Sequence, residues 1–316
     1  MKHYRGFKFC SMIKQTLYFS NPFHLSTKLE QLIITSKETG EVKQRSIEDL
    51  GFVILDNQEI TFTQSVIQAL AENNVAVVFC DKTHHPSSML FPLDGNTLQT
   101  ERYKYQIDAS EPLKKQLWQQ TIKAKIRNQA ALYTQLGKDD EALQRYATKV
   151  LSGDTTNEEA QAARHYWKYL FTSHQDLVEG GGFIRDRFGM PPNPTLNFGY
   201  TILRSATARA LVGSGLIPTL GIHHHNKYNA FCLADDIMEP YRPFVDKLVV
   251  EIKNENSEYH IMTKEIKAKL IGLISMDVMM AGNASPLMIA LSQTTASLVK
   301  CFEGKEKQIK YPTFLT

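Results

Sequence analysis

A chain of 316 residues, 42% hydrophobic with a formal net charge of +3, is long enough for two ordinary domains or one large one and too apolar to be disordered. So small a net charge excludes neither a nucleic-acid partner nor a small-molecule one, which leaves local charge to decide. Cys10, Cys80, Cys232 and Cys301 are widely spaced with no C-x-x-C pair, against a disulfide framework or cysteine zinc site and in favour of reduced thiols in the cytoplasm. No apolar run reaches the ~18 residues needed to span a bilayer, so no membrane partner is expected.

Residues 1–11 have a basic end but neither an adequate apolar stretch nor a small-residue cleavage site. Met12 follows at once and opens a cleaner strand pattern, so 1–11 read as an upstream start or a remnant of expression. From 12 to about 95 the chain reads as short strands. Leu17-Tyr18-Phe19, Leu32-Ile33-Ile34-Thr35, Phe52-Val53-Ile54-Leu55 and Val75-Ala76-Val77-Val78-Phe79 are rich in β-branched and aromatic residues, with turn formers such as Thr39-Gly40 and Asp56-Asn57 between them. Thr63 to Ala71 carries Val66, Ile67 and Leu70 at helical spacing. This half is expected to be a small sheet with one helix. His84 and His85 precede Pro86 in a loop and are expected to be plain surface residues.

From 96 to 303 the pattern is helical. Ser110-Glu111-Pro112 supplies an N-cap hydroxyl, an acid in the first turn and a proline where no amide donor is needed. The helix that follows carries Leu113, Leu117, Trp118, Ile122, Ile126, Ala130 and Tyr133 on one broad side and stops at Gly137. Seven cations (Arg102, Lys104, Lys114, Lys115, Lys123, Lys125, Arg127) surround it against three acids (Glu101, Asp108, Glu111). That balance suits a solvated face or a flank for phosphates. Further helices are predicted over 195–214, 243–252 and 263–273, and a last one opens at Ser285-Pro286 and runs to Phe302. The tail, 304–316, is expected to be loosely ordered. The whole is an α+β chain: a small β-rich part followed by a larger all-helical one.

Three clusters could carry chemistry. Asp154, Thr155, Thr156 and Asn157 are plausible caps for a helix in which Glu159 heads a stripe of Ala162, Ala163, Tyr166 and Leu170, with Glu158 on a wetter side. A carboxylate on a core face is costly unless paired or metal-bound, so Glu159 reads as a ligand, as a partner of Arg164 or Arg185, or as an acid serving the dipole at the helix start. In Gly221-Ile222-His223-His224-His225 neighbours point to opposite faces if the segment is extended. His224 alone, or His223 with His225, could then serve a metal. Asp236 and Glu239 are three apart and share a face on a helix, although Pro240 and Pro243 would kink or restart it. Carboxylates with one imidazole suit Mg²⁺ or Mn²⁺.

The run Glu159-Ala160-x-Ala162-Ala163-Arg164-x-Tyr166-Trp167, then Pro192-Asn193-x-x-Leu196-Asn197-Phe198-Gly199-Tyr200-x-x-Leu203, then Gly215-Leu216-x-Pro218-x-x-Gly221-x-x-His224, then Asp236-Ile237-Met238-Glu239-x-x-Arg242-Pro243, closely resembles CRISPR-associated protein one. That is the integrase of spacer acquisition, here in a form like that of type II systems. Lys125-Ile126-x-Asn128-Gln129 and the strand-rich front half extend the resemblance from Met12 over nearly the whole chain. It implies a β-rich dimerisation domain (12–95), a helical catalytic domain (96–303), and a homodimer that assembles with CRISPR-associated protein two, with or without the type II effector nuclease. It also implies metal ligands at Glu159, His224 and Glu239, with Asp236 close by in support. The implied chemistry joins the 3′-hydroxyl of a captured DNA fragment to the CRISPR repeat. One departure is Ala160, where the family often has glycine.

Candidate DNA contacts are Lys123, Lys125, Arg127, Arg185, Arg187 and Arg204, with Arg209 a further one and Arg242 a partner for a site carboxylate. Gly180-Gly181-Gly182, just before Arg185, suits a mobile segment or a plain connector. Two other functions fit the residues: a zinc hydrolase built on the histidine triplet, and a DNA-binding scaffold with an idle site.

Overall fold

The computed structural model describes residues 14–82, 84, 86–90, 92, 95–172, 183–255 and 258–315. Residues 1–11, His85 and the glycines 180–182 lie outside them. Strands β1 (Gln15–Phe19), β5 (Leu50–Leu55), β7 (Ala76–Cys80) and β8 (Pro86–Leu90) form one sheet in the order β1-β5-β7-β8. Its first three strands are parallel and β8 is antiparallel. A second sheet runs β4 (Val42–Ser46), β3 (Gln31–Ser36), β2 (Phe23–Lys28), β6 (Thr61–Phe62). The expectation of one small sheet is therefore corrected to two. The missed strand β4 has no apolar alternation because it is largely exposed, and its pairing with β3 is what makes it a strand.

Helix α1 (Gln64–Glu72) buries Val66 and Leu70 between the sheets, as its spacing predicts. In β5 successive side chains serve different cores. Val53 and Leu55 join Leu25, Leu32, Val66 and Leu70, whereas Phe52 and Ile54 join the helices. Burial on both faces explains why β5 is continuously apolar.

The rest of the chain contains α2 (Gln99–Ile107), α3 (Glu111–Gln135), α4 (Glu141–Lys149), α5 (Glu158–Leu170), α6 (Asn193–Gly213), α7 (Cys232–Met238), α8 (Arg242–Glu255), α9 (Lys264–Ile271) and α10 (Leu287–Phe302). Helix α3 starts as expected: the Ser110 hydroxyl accepts from the Leu113 amide. Two expectations fail here. The helical part is not all-helical, because β9 (Asp277–Met280) and β10 (Asn283–Pro286) form a hairpin turned by Ala281 and Gly282, both at positive φ. Nor is the tail loose. Thr313 pairs with Met279, the Tyr311 hydroxyl meets Thr121, and Ile309 and Phe314 are buried. A polar tail needs such partners to be ordered, and they come from α3 and the hairpin.

The sheet and the helices are also tied by polar contacts. Buried Asp56 takes the Tyr18 hydroxyl, His84 Nδ1 at 2.9 Å and Lys267 Nζ at 3.3 Å. His84 is thus not a bare surface residue. Arg209 of α6 donates to the Asn74 carbonyl and lies over the Phe52 ring, and burial lowers its guanidinium to about 10. That accounts for Arg209 without phosphate. Among the described residues no helix is long and apolar enough to cross a membrane, and Cys80, Cys232 and Cys301 are free.

Candidate active site

The three clusters meet beside α3. Asp154 folds back over the start of α5, its carboxylate accepting from the amides of Glu158 (2.9 Å) and Glu159 (3.0 Å). Ala162, Tyr166 and Leu170 then face the core, as counted from Glu159. The burial of the two glutamates is the reverse of the expectation. Glu158 is buried and Glu159 half-buried, because the turn before α5 covers the first helical residue. Glu159 pairs with neither Arg164 nor Arg185. Its Oε1 lies 2.5 Å from Nζ of Lys125, on α3.

Pro240 ends α7 and a short 3₁₀ turn, Glu239–Tyr241, leads into α8. This presents Glu239 toward the same lysine, with Lys125 Nζ 2.6 Å from Oε2 and Arg242 Nε 2.8 Å from Oε1. Burial alone would raise the Glu239 carboxyl, but Arg242 and Lys125 overrule it and hold it below the usual range. Burial likewise works against the Lys125 charge, and Glu239 and Glu159 overrule that, raising it. Lys125 is therefore an internal counter-ion, only 8% exposed and committed to two carboxylates, where a free surface cation was expected. The expected partnership of Arg242 with a site carboxylate is present.

Asp236 differs from its expected place beside Glu239. It is fully buried, with Oδ2 accepting from the amides of Ile222 (2.7 Å) and His223 (2.9 Å), and Oδ1 meeting the His224 amide (3.3 Å) and His224 Nδ1 (2.5 Å). A carboxylate so engaged positions the histidine loop, with both of its oxygens taken by amides and the imidazole. The loop can close over it because residue 221 is glycine. A Cβ there would come within 2.3 Å of the His224 carbonyl oxygen and 2.8 Å of Asp236 Oδ2.

The three histidines are now distinct. His223 stacks on Trp118 at 4.1 Å with planes 2° apart, and burial lowers its pKa. His224 stands edge-on to the same ring, and its bond to Asp236 raises its pKa against the effect of burial. With Nδ1 committed to Asp236, Nε2 is the nitrogen left to act, the usual arrangement of a metal-ligating imidazole. His225 is exposed. Trp118, read from sequence as core, also props this loop; nothing in its spacing signals that second contact.

The donor set suits a hard divalent cation: two carboxylates, one imidazole nitrogen, and a buried Glu239 Oε2 already occupied by a cation, the Lys125 ammonium at 2.6 Å. As they stand, no three such donors among the described residues enclose a single point, since the Lys125 ammonium bridges the two carboxylates.

Behind the site, Asp246 of α8 accepts from Tyr166 of α5 (2.7 Å) and from Tyr200 of α6, whose ring lies between Arg185 and Arg242. Burial pushes its carboxyl up to about 6 from 3.8, although both tyrosine hydroxyls and the two arginines oppose that. The folded value exceeds the unfolded one, so stability falls as pH rises between about 4 and 6, by roughly 3 kcal/mol in all. Denaturant titrations across that window should show the fall in the wild type and not in Asp246→Asn; equal slopes in the two proteins would contradict it.

Two other expected DNA contacts are also occupied. Arg204 is bidentate to Asp235 (2.6 and 3.0 Å), and Arg185 donates to Asn193 and Asn197. Lys123, Arg127 and Arg187 have no acidic partner among the described residues, and Arg187 lies over the Phe188 ring.

These features define a chain with β-rich sheets in front and a helical half that carries a centre of two carboxylates and one oriented imidazole. Residues 17–266 match the family model described as CRISPR associated protein Cas1, and the chain belongs to that family. It is 34% identical over 307 residues to a CRISPR-associated endonuclease Cas1 of Neisseria meningitidis serogroup C (strain 8013), covering 96% of this chain and 97% of the relative. A second relative so named, from Francisella tularensis subsp. novicida (strain U112), is 25% identical and matches over 79% of this chain and 82% of its own length. The fold is shared with a casposase bound to integration product (TM-score 0.74, 19% identity, covering 93% of this chain and 92% of that one). It is shared too with a Cas1 protein from Thermotoga maritima (TM-score 0.71, 16% identity, 96% and 99% covered). A chain of a Cas6-RT-Cas1–Cas2 complex has TM-score 0.70 at 21% identity, covering 97% of this chain and 36% of that one.

Proposed function

We propose that this Cas1 chain is a divalent-metal-dependent DNA integrase and endonuclease of CRISPR adaptation, of type II kind, working in the cytoplasm. The observation that carries the reading is the His224–Asp236 pair, which leaves the imidazole Nε2 free beside the carboxylates of Glu159 and Glu239. Those three residues would hold Mg²⁺ or Mn²⁺, with Asp236 fixing the imidazole and Arg242 steadying Glu239. Such a cation supplies charge stabilisation at the phosphoryl oxygens and lowers the cost of forming an alkoxide. The Lys125 ammonium bridges those same carboxylates and would have to leave them for a cation to be held there.

The reaction is a transesterification. The 3′-oxygen of a captured fragment forms a bond to phosphorus at the edge of the repeat, the bond to the old 3′-oxygen breaks, and that oxygen leaves as a hydroxyl with the proton lost by the attacking one. Water in place of the 3′-hydroxyl gives strand cleavage. The Cas6-RT-Cas1–Cas2 complex and the casposase bound to integration product support the Cas2 protein and DNA as partners. A homodimer through the β-rich half, with a captured fragment and the repeat as substrates, is part of this reading. The type II effector nuclease belongs to the same proposal.

Strand transfer of a labelled 3′-hydroxyl fragment into a repeat duplex tests it. With Mg²⁺ or Mn²⁺ the wild type should join the strands and Glu159→Ala should lose at least about 100-fold. Unchanged transfer in Glu159→Ala would mean an idle site. Equal losses in His223→Ala, His224→Ala and His225→Ala would favour a zinc hydrolase.

A further inference from the structure

Helix α3 turns two faces to polar work. Lys125 points at the carboxylates, and Lys123 and Arg127 lie about 160° around the axis from it, one turn apart on the opposite side. There the ordered tail runs alongside and encloses a groove of about 480 Å³ lined by Lys123, Arg127 and Lys307 with no acidic residue. The tail is fixed in that place by directed bonds. Gln120 donates to the Lys307 carbonyl and accepts from the Ile309 amide, both at 2.9 Å. Asn128, in the floor, donates to the carbonyls of Pro312 (3.0 Å) and Pro240 (2.7 Å), the latter next to Glu239.

Three features set this groove apart from an ordinary charged surface. Its three cations converge on one groove with no acid in its lining, whereas a surface lysine without a carboxylate partner normally stands alone in solvent. The cations come from two segments 180 or more residues apart that the Gln120 bonds hold in register. The floor is bonded to the residue that follows a site carboxylate. Like charges gathered without acids repel one another, and an anion relieves that cost.

We propose that this groove clamps the phosphodiester backbone of a DNA segment other than the one presented to Glu159 and Glu239. Helix α3, rigid and shared by both faces, then fixes the distance between the clamped segment and the reacting phosphate. The inference rests on the proposed function for its choice of DNA as the polyanion.

The test is fluorescence anisotropy of a labelled repeat duplex against salt, for the full-length wild type and for the triple variant Lys123→Gln, Arg127→Gln, Lys307→Gln. Each lost phosphate contact lowers the salt slope by about one, so the triple variant should lose about three, and affinity at moderate salt at least about tenfold. The charge-keeping triple Lys123→Arg, Arg127→Lys, Lys307→Arg should retain the slope, which separates charge from misfolding. A Gln triple variant with the wild-type slope and affinity overturns the clamp. Should that variant behave as expected while the wild type, given Mg²⁺ or Mn²⁺, breaks and joins no strand, the clamp stands and the proposed function falls.

Discussion

Asp236→Ala is expected to destabilise the protein by about 3–5 kcal/mol, among the largest losses any single exchange in the chain should cause. The carboxylate is fully buried and receives three backbone amides and one imidazole, so its removal strands four polar groups at once. Denaturant unfolding gives the energy, and Trp118 fluorescence reports the loop through its stacked contact with His223. The emission should shift in Asp236→Ala even in native buffer. A variant within about 1 kcal/mol of the wild type, with unchanged emission, would mean that Asp236 does not hold the loop.

The second large effect concerns Lys125. Lys125→Met removes the ammonium that bridges Glu159 and Glu239, leaving a buried carboxylate with Arg242 as its one remaining cation among the described residues. Breaking a buried pair from one side costs about 3–5 kcal/mol, and that is the loss expected in chelator-treated protein. Added Mn²⁺ should then stabilise the variant more than the wild type, because in the variant no ammonium has to be displaced first. Thermal unfolding with and without Mn²⁺ reads both parts. Equal Mn²⁺ shifts in the two proteins would show that the lysine and the metal do not share the carboxylates.

How much of this was legible beforehand depends on the range of the signal. Local signals served well: the Ser110 cap, the stripe below Glu159, and the restart of the helix at Pro240 and Pro243 are all written within one or two turns. The resemblance selected one histidine of three, which spacing alone could not do. Long-range pairing was illegible. Lys125 sits among six other cations near one helix, and nothing local tells it from Lys123; only the fold, by bringing in residues 34 and 114 positions away, turns it inward. For the same reason Arg204 and Arg185 read as free cations until Asp235, Asn193 and Asn197 are placed beside them. Asp236 and Glu239 share a face by count, yet the 3₁₀ turn and the glycine loop divide their tasks, one toward the histidine and one toward Lys125 and Arg242.

Pulsed electron paramagnetic resonance of bound Mn²⁺ tests the central claim most directly, because it counts the ion and reads the nitrogen attached to it. The wild type should bind one Mn²⁺ per chain with a single imidazole coupling. That coupling should vanish in His224→Ala, persist in His223→Ala and His225→Ala, and the ion itself should be lost from Glu159→Ala and Glu239→Ala. Mn²⁺ that keeps its imidazole coupling in His224→Ala, or that binds undiminished in both glutamate variants, would contradict the site described here.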